Sequence, residues 1–254
     1  MIAEFIDSLR CHCPPPFRSY GFHRELAAIH ARRQRCRNAW QAHEQNCHQI
    51  ITDHAPGGDV ALLAGAGICF DLPVETLLSR YTEIWLADVA FHISVRRLAR
   101  RNPAIRLITA DLTGLLATAL QDSLSDIRPV DLWQTVPRID LVVSANLITQ
   151  LPLPFLDKRS TPTDQTDLRT AVHRAHLDWL RSFDCQTVLI AETEVRRRAL
   201  PATKWARQSS LTSELLDDPH CKWTWQIAPA GEISRRMEME MTVAGWVKPP
   251  VSLA

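Results

Sequence analysis

The sequence predicts an α/β fold: a mostly parallel sheet that closes with an antiparallel hairpin. Three observations carry this. Short, nearly continuous apolar runs alternate with helix-like segments between residues 58 and 191, as in a sheet covered on both faces. The first run ends in Gly65-Ala66-Gly67, and the second ends in an acid, Asp88. The last two runs, Lys222–Ile227 and Met237–Val243, alternate polar and apolar residues. Pro229-Ala230-Gly231 lies between them, leaving no room for a crossover helix.

The elements follow in order. Met1–Leu9 reads as a short helix, and Pro14-Pro15-Pro16 as an extended break. Phe22 to about His54 lacks Pro and Gly and is rich in Ala, Arg, Glu and Gln, so it reads as one long helix or two with a bend. Pro56-Gly57-Gly58 ends it. Residues 1–57 are therefore a helical N-terminal extension, and residues 58–254 the sheet domain. Strands are expected at Val60–Ala64, Ile84–Ala87, Ile105–Thr109, Leu141–Val143 and Thr187–Ala191. Helices are expected at Val74–Tyr81, Ile93–Arg101, Leu115–Leu124 and Leu168–Phe183. Pro152–Asp167 reads as a long loop, and such loops often carry function.

Composition narrows the partners. The 29 basic residues balance the 28 acidic ones, so no global basic field points to nucleic acid. The Arg clusters at 32–37, 96–101 and 196–198 read as solvated helix faces, with a polyanion groove as the alternative. No apolar run is long enough to span a membrane. The seven Cys are odd in number and scattered, which suits a reducing cytoplasm better than a disulfide framework. The N-terminus lacks the basic-then-apolar order of a signal peptide.

The strand order, glycine turn and acid positions over roughly residues 58–245 resemble the class I S-adenosylmethionine-dependent methyltransferase family. The resemblance implies a Rossmann-like seven-stranded sheet, with five parallel strands and a C-terminal antiparallel hairpin. It also implies an enzyme with S-adenosyl-L-methionine as cofactor. In that family the turn at Gly65, Ala66 and Gly67 passes beside the methionine part of the cofactor. The third glycine of the family is Cys69 here. Asp88 matches the acid that accepts hydrogen bonds from both ribose hydroxyls, with Val89 following it; such an acid also disfavours a 2′-phosphate. Asp111 matches the acid that meets the adenine amine, with Leu112 forming an apolar wall; the alternative for Asp111 is a helix cap. Asp71 either caps the following helix or faces the cofactor's ammonium. A bare turn with no ligand is the alternative for the whole motif.

Ser144 and Asn146 fall at the C-terminal end of the fourth strand, where open α/β sheets bind ligands. There they would orient the methionine part or an acceptor group. The segment lacks the Asn-Pro-Pro-Tyr of amino methyltransferases that act on bases or glutamine, and it offers no nucleophilic Cys at that point, which argues against those chemistries. Gln150 is a substrate-side candidate or a loop side chain bonded to backbone. His173 and His176 lie one helical turn apart and are the candidate general bases, His176 first; packing beside Trp179 is the alternative. The extension precedes the core and can cross the open end of the sheet as a lid. Arg24 and His30 would then meet a carboxylate or phosphate on the acceptor. A docked helix without ligand, or a homodimer contact, is the alternative.

No metal is assigned. Cys36, Trp40, His43 and Cys47 share one helix face near Cys11-His12-Cys13. This stripe would suit zinc or copper, but the same offsets describe a buried helix face. Trp223, Trp225 and Met237, Met239, Met241 read as sheet core, and Trp205 as free to border a pocket. The expected activity is O- or N-methylation of a small molecule or natural-product intermediate. A catalytically silent binding or assembly protein is the runner-up, followed by an NAD-dependent oxidoreductase.

Overall fold

The computed structural model describes residues 2–115, 127, 133, 138–156, 161–212 and 215–248. It shows an α/β Rossmann-like sheet in the strand order β3-β2-β1-β4-β5-β8-β7, with β6 paired to β5. The strands are β1 (Gly58–Ala64), β2 (Tyr81–Asp88), β3 (Ile105–Thr109), β4 (Ile139–Ala145), β5 (Gln186–Ala199), β6 (Ala206–Ser209), β7 (Cys221–Ala228) and β8 (Met237–Val247). Strands β1 to β5 pair in parallel. β8 runs antiparallel to both β5 and β7, which it separates. This is the class I methyltransferase topology, and the final hairpin expected from the alternation at 222–243 is present.

The parallel strands are buried on both faces, which explains their near-continuous apolar runs. Ala61, Leu63, Ile84, Leu86, Leu141, Val143, Val188 and Ile190 turn to one layer. Val60, Leu62, Ala64, Trp85, Ala87, Val142, Leu189 and Ala191 turn to the other.

The helices are α1 (Ile2–Arg10), α2 (Pro15–Arg18), α3 (Phe22–Arg35), α4 (Arg37–Asp53), α5 (Val74–Leu77), α6 (Ile93–Arg101), α7 (Leu153–Leu156) and α8 (Pro162–Arg181). The proline break is itself a helix start: Pro14 is extended and Pro15 opens α2, because a missing N–H and a fixed φ suit the first helical turn. The long N-terminal helix is two, parted at Cys36 (φ −102°, ψ 20°). α5 ends at Leu77, and Tyr81 instead begins β2. The expected loop 152–167 contains α7 and the start of α8, where the Thr161 hydroxyl accepts the Asp164 N–H and Pro162 opens the helix. Most of the expected helix Leu115–Leu124 lies outside the described residues. β5 runs past the end of β4, where the β6 hairpin takes β4's place along it. That hairpin is absent from the sequence reading, because its strand Ala-Arg-Gln-Ser is polar and exposed throughout.

The N-terminal extension has two parts. α4 belongs to the core: Cys47, Ile50 and Ile51 are at most 4% exposed, and Trp40 Nε1 donates to the Ile227 carbonyl at 3.0 Å. The α1–α3 segment lies instead at the C-terminal ends of β1 and β2. His12 exchanges backbone hydrogen bonds with Phe91, both 2.8 Å, and Leu26 reaches the glycine turn. No helix among the described residues is long and apolar enough to cross a membrane.

Candidate functional site

The glycine turn is confined on every side. Gly65 has φ +80°, and a Cβ there would meet the Ala145 carbonyl and Leu147, both at 3.1 Å. At Gly67 a Cβ would meet the Ala90 carbonyl at 2.8 Å, Asp88 Oδ2 at 2.9 Å and Leu26 of α3 at 3.0 Å. The chain thus passes between the exits of β4 and β2 only because these side chains are absent. Cys69 keeps the left-handed backbone, with φ +59°, at the place where the family it resembles has a third glycine. Its thiol donates to the Ala66 carbonyl at 3.1 Å. Such a backbone costs an L-residue about 1–2 kcal/mol.

Asp88 is pinned across the turn. Oδ2 accepts the Gly67 N–H at 2.8 Å, and Oδ1 accepts the Ala90 N–H at 3.2 Å. Burial pushes its pKa up to about 6 against the opposing pull of those hydrogen bonds. Each carboxylate oxygen has a further lone pair. Val89, next to it, is partly buried. Asp111 is 6% exposed and accepts both the Thr113 N–H, at 2.9 Å, and the Thr113 hydroxyl, while Thr113 Oγ1 accepts the Leu115 N–H at 2.9 Å. Leu112 is buried in the second core layer.

A buried polar group gathers where β1, β4, β5 and α4 converge. Asn146 follows β4 with φ +49°, which breaks strand alternation. Its side chain therefore lies in the layer opposite Ser144. Asn146 Nδ2 donates to Asp71 Oδ2 at 2.6 Å and lies 3.1 Å from His43 Nε2. Trp223 Nε1 donates to His43 Nδ1 at 3.1 Å, and Trp225 stacks on the imidazole with centroids 3.9 Å apart. Burial lowers the His43 pKa to about 3, so the ring is neutral. Burial raises Asp71 to about 6, against the hydrogen bond from Asn146. Asp71 does not cap α5, whose N-cap position is Pro73 with no side-chain bond. Asn146 Oδ1 is buried and has no hydrogen-bond partner in the structure.

Glu192 on β5 is 3% exposed, accepts the Thr149 hydroxyl and is raised by burial. The Gln150 side chain favours the charged form of Glu192 against the effect of burial. Glu192, Thr149 and the polar role of His43 are absent from the sequence reading. Glu192 ends the apolar run Thr187–Ala191, so the strand-end rule that selects Asp88 and Asp111 would have found it.

Other sequence candidates lie elsewhere. His176 is 1% exposed, its Nε2 is 2.8 Å from Ser144 Oγ, and burial lowers its pKa to about 3. His173 is fully buried, bonds Thr212 Oγ1 at 3.0 Å and is lowered to about 4, again by burial. Both point from α8 into the core layer with Trp179, so the base role expected of them is replaced by packing. Ser144 goes with them, away from the turn. His30 is committed to Asp7, 2.7 Å away, not to an acceptor anion. Arg24 is exposed on α3 and forms no ion pair among the described residues. The Cys36, Trp40, His43, Cys47 stripe is a buried helix face, as the bland alternative has it. Trp225 is core, but Trp223 is only partly buried and serves His43. Trp205 is covered by the guanidiniums of Arg196 and Arg198.

No protein-family model matches the chain, and no curated protein matches it. Among solved structures it is similar to the N-methyltransferase NodS from Bradyrhizobium japonicum WM9 in complex with S-adenosyl-L-homocysteine. The identity is 15% and the TM-score 0.40, over 84% of this chain and 88% of that one. It is also similar to Burkholderia thailandensis 1,6-didemethyltoxoflavin-N1-methyltransferase with bound 1,6-didemethyltoxoflavin and S-adenosylhomocysteine. There the identity is 14% and the TM-score 0.42, over 92% of this chain and 91% of that one. Likeness at this level adds nothing to the assignment of the site; the fold rests on the strand order itself.

Proposed function

We propose that this protein is an S-adenosylmethionine-dependent methyltransferase that O- or N-methylates a small molecule. One observation carries the reading: antiparallel β8 stands between β5 and β7, while the glycine turn and Asp88 face each other at the C-terminal edge of β1 and β2. A dinucleotide dehydrogenase would bring its sixth strand in parallel.

The residues present fit the cofactor. Asp88 retains lone pairs for the two ribose hydroxyls. Asn146 Oδ1 is a buried acceptor lacking a donor, and beside Asp71 it suits an ammonium. Asp111 and Leu112 stand at the end of β3 for the adenine. Gly65, Ala66 and Gly67 supply main chain without bulk. When bound, the cofactor supplies an electrophilic methyl group on a sulfonium. The protein's part is to align the acceptor and take its proton where one must leave. With His173 and His176 enclosed, alignment of the acceptor carries more of the reaction than a side-chain base. Helices α1–α3 act as the lid, with Arg24 on the solvent side for an anionic acceptor.

Calorimetry with S-adenosylmethionine, S-adenosylhomocysteine and NAD tests the reading. Saturable binding of the first two is expected, with negligible NAD binding. NAD binding alone would overturn it.

A further inference from the structure

Asp7 on α1, His30 on α3 and His92 at the N-cap of α6 meet outside the polar site described above. His30 Nδ1 is 2.7 Å from Asp7 Oδ2, and His92 Nε2 is 3.1 Å from both Asp7 oxygens. One donor atom from each residue lies within 4.8 Å of the others. The two imidazoles are 4.1 Å apart between centroids and tilted by 42°. Bonds of about 2.0–2.1 Å from one ion place neighbouring donors roughly 3.0–3.4 Å apart, so small adjustments of the three side chains suffice.

We propose that Asp7, His30 and His92 bind a divalent transition-metal ion, zinc best matching two imidazoles and a carboxylate, and that the ion clasps α1 and α3 to the loop leaving β2. Two further observations support the site. In the structure His92 Nδ1 accepts the Ser94 N–H at 3.2 Å, so an ion at Nε2 moves the ring proton to Nδ1, where Ser94 Oγ, 2.7 Å away, can accept it. The Gln34 amide nitrogen is 3.2 Å from His30 Nε2, and turning the amide over presents its oxygen to that ring nitrogen instead. His92 is 3% exposed, whereas the His30 and Asp7 side chains are 20% and 18% exposed. One side is therefore open for the ion to enter and for water to complete the coordination.

The clasp adjoins the glycine turn, because the His92 N–H donates to the Gly67 carbonyl at 2.8 Å. An ion here would hold α1 and α3 over that turn. This inference does not depend on the methyltransferase reading, and its test uses no enzymatic readout.

The full-length protein, stripped with chelator, is titrated with zinc chloride by calorimetry and with cobalt chloride by visible absorption. One equivalent should bind, with a cobalt spectrum free of thiolate charge transfer. His30→Gln should abolish saturable binding, and Ser94→Ala should weaken it about 10–100-fold. Zinc should also slow tryptic cleavage after Arg10 and Arg18. Circular dichroism verifies that each variant folds; Ser94→Ala, which removes only a hydroxyl, carries the test if His30→Gln does not. No stoichiometric binding overturns the proposal. So does a thiolate cobalt spectrum, or affinity unchanged in both variants.

Discussion

His176 offers a direct test of its enclosure. Burial lowers its pKa from the ordinary 6.5 to about 3 in the folded chain. The unfolded chain therefore takes up a proton below pH 6.5 that the native state refuses. The stabilisation is fully present above pH 6.5 and is lost as pH falls towards 3. Each pH unit in that window costs about 1.4 kcal/mol, so a fall from pH 7 to pH 5 costs about 2 kcal/mol through this residue. His176→Gln removes the titration while leaving an amide that can bond Ser144. Urea unfolding of both proteins at pH 7, 6 and 5 gives the difference in stability at each pH. The gap should move by about 2 kcal/mol in favour of the variant on acidification, whatever its offset at pH 7. Parallel profiles would show that His176 titrates in contact with solvent. That would refute its enclosure and reopen its candidacy as a base.

Asp88→Ala removes the acceptor proposed for the ribose hydroxyls. S-adenosylhomocysteine affinity should fall about ten-fold or more in a folded protein, from charge-assisted bonds worth roughly 1.5–3 kcal/mol; calorimetry measures it. Asn146→Ala removes the donor to buried Asp71 and leaves a Cβ-bearing residue with φ +49°. It should cost about 2–4 kcal/mol in urea unfolding and raise the Asp71 pKa further, as read by carbon-13 NMR titration. Gly245→Ala should cost about 1–3 kcal/mol, because its Cβ would strike Ile50 of α4 and lie 3.1 Å from Cys221 Sγ. Unchanged thermal unfolding of that variant would show that the Ile50 Cδ1 methyl swings aside without cost.

Most of the sheet was legible because parallel strands buried on both faces leave continuous apolar runs, and their ends are marked by Gly65, Asp88 and Asp111. Features without such a mark were not. β6 has no apolar residue beyond Ala206, and its pairing follows from the length of β5. The site was legible only in part, for a similar reason. Strand ends marked Asp88 and Asn146 as candidates, and the segment after the glycine turn marked Asp71. A strand end does not fix which face a helix residue takes in the layer above. His173 and His176 look like paired bases at i and i+3, and the same spacing equally directs both into the core.

The positive φ at Asn146 explains why Ser144 and Asn146 part company. Two residues apart on an uninterrupted strand, they would share a face. The left-handed step sends Asn146 to the α4 layer, while Ser144 stays under α8 with His176. His43 and His176 thus stand in different layers. His43 stands beside Asn146 and Asp71 at the ligand edge, and His176 is sealed behind the sheet. The strain at Asn146 costs on the order of 1–3 kcal/mol and is sustained by hydrogen bonds from its N–H to the Ile190 carbonyl and from its side chain to Asp71. That conformation stands where β4 and β5 open and leaves Oδ1 buried without a hydrogen-bond partner in the structure; under the function proposed above, it is the acceptor that the cofactor's ammonium would meet.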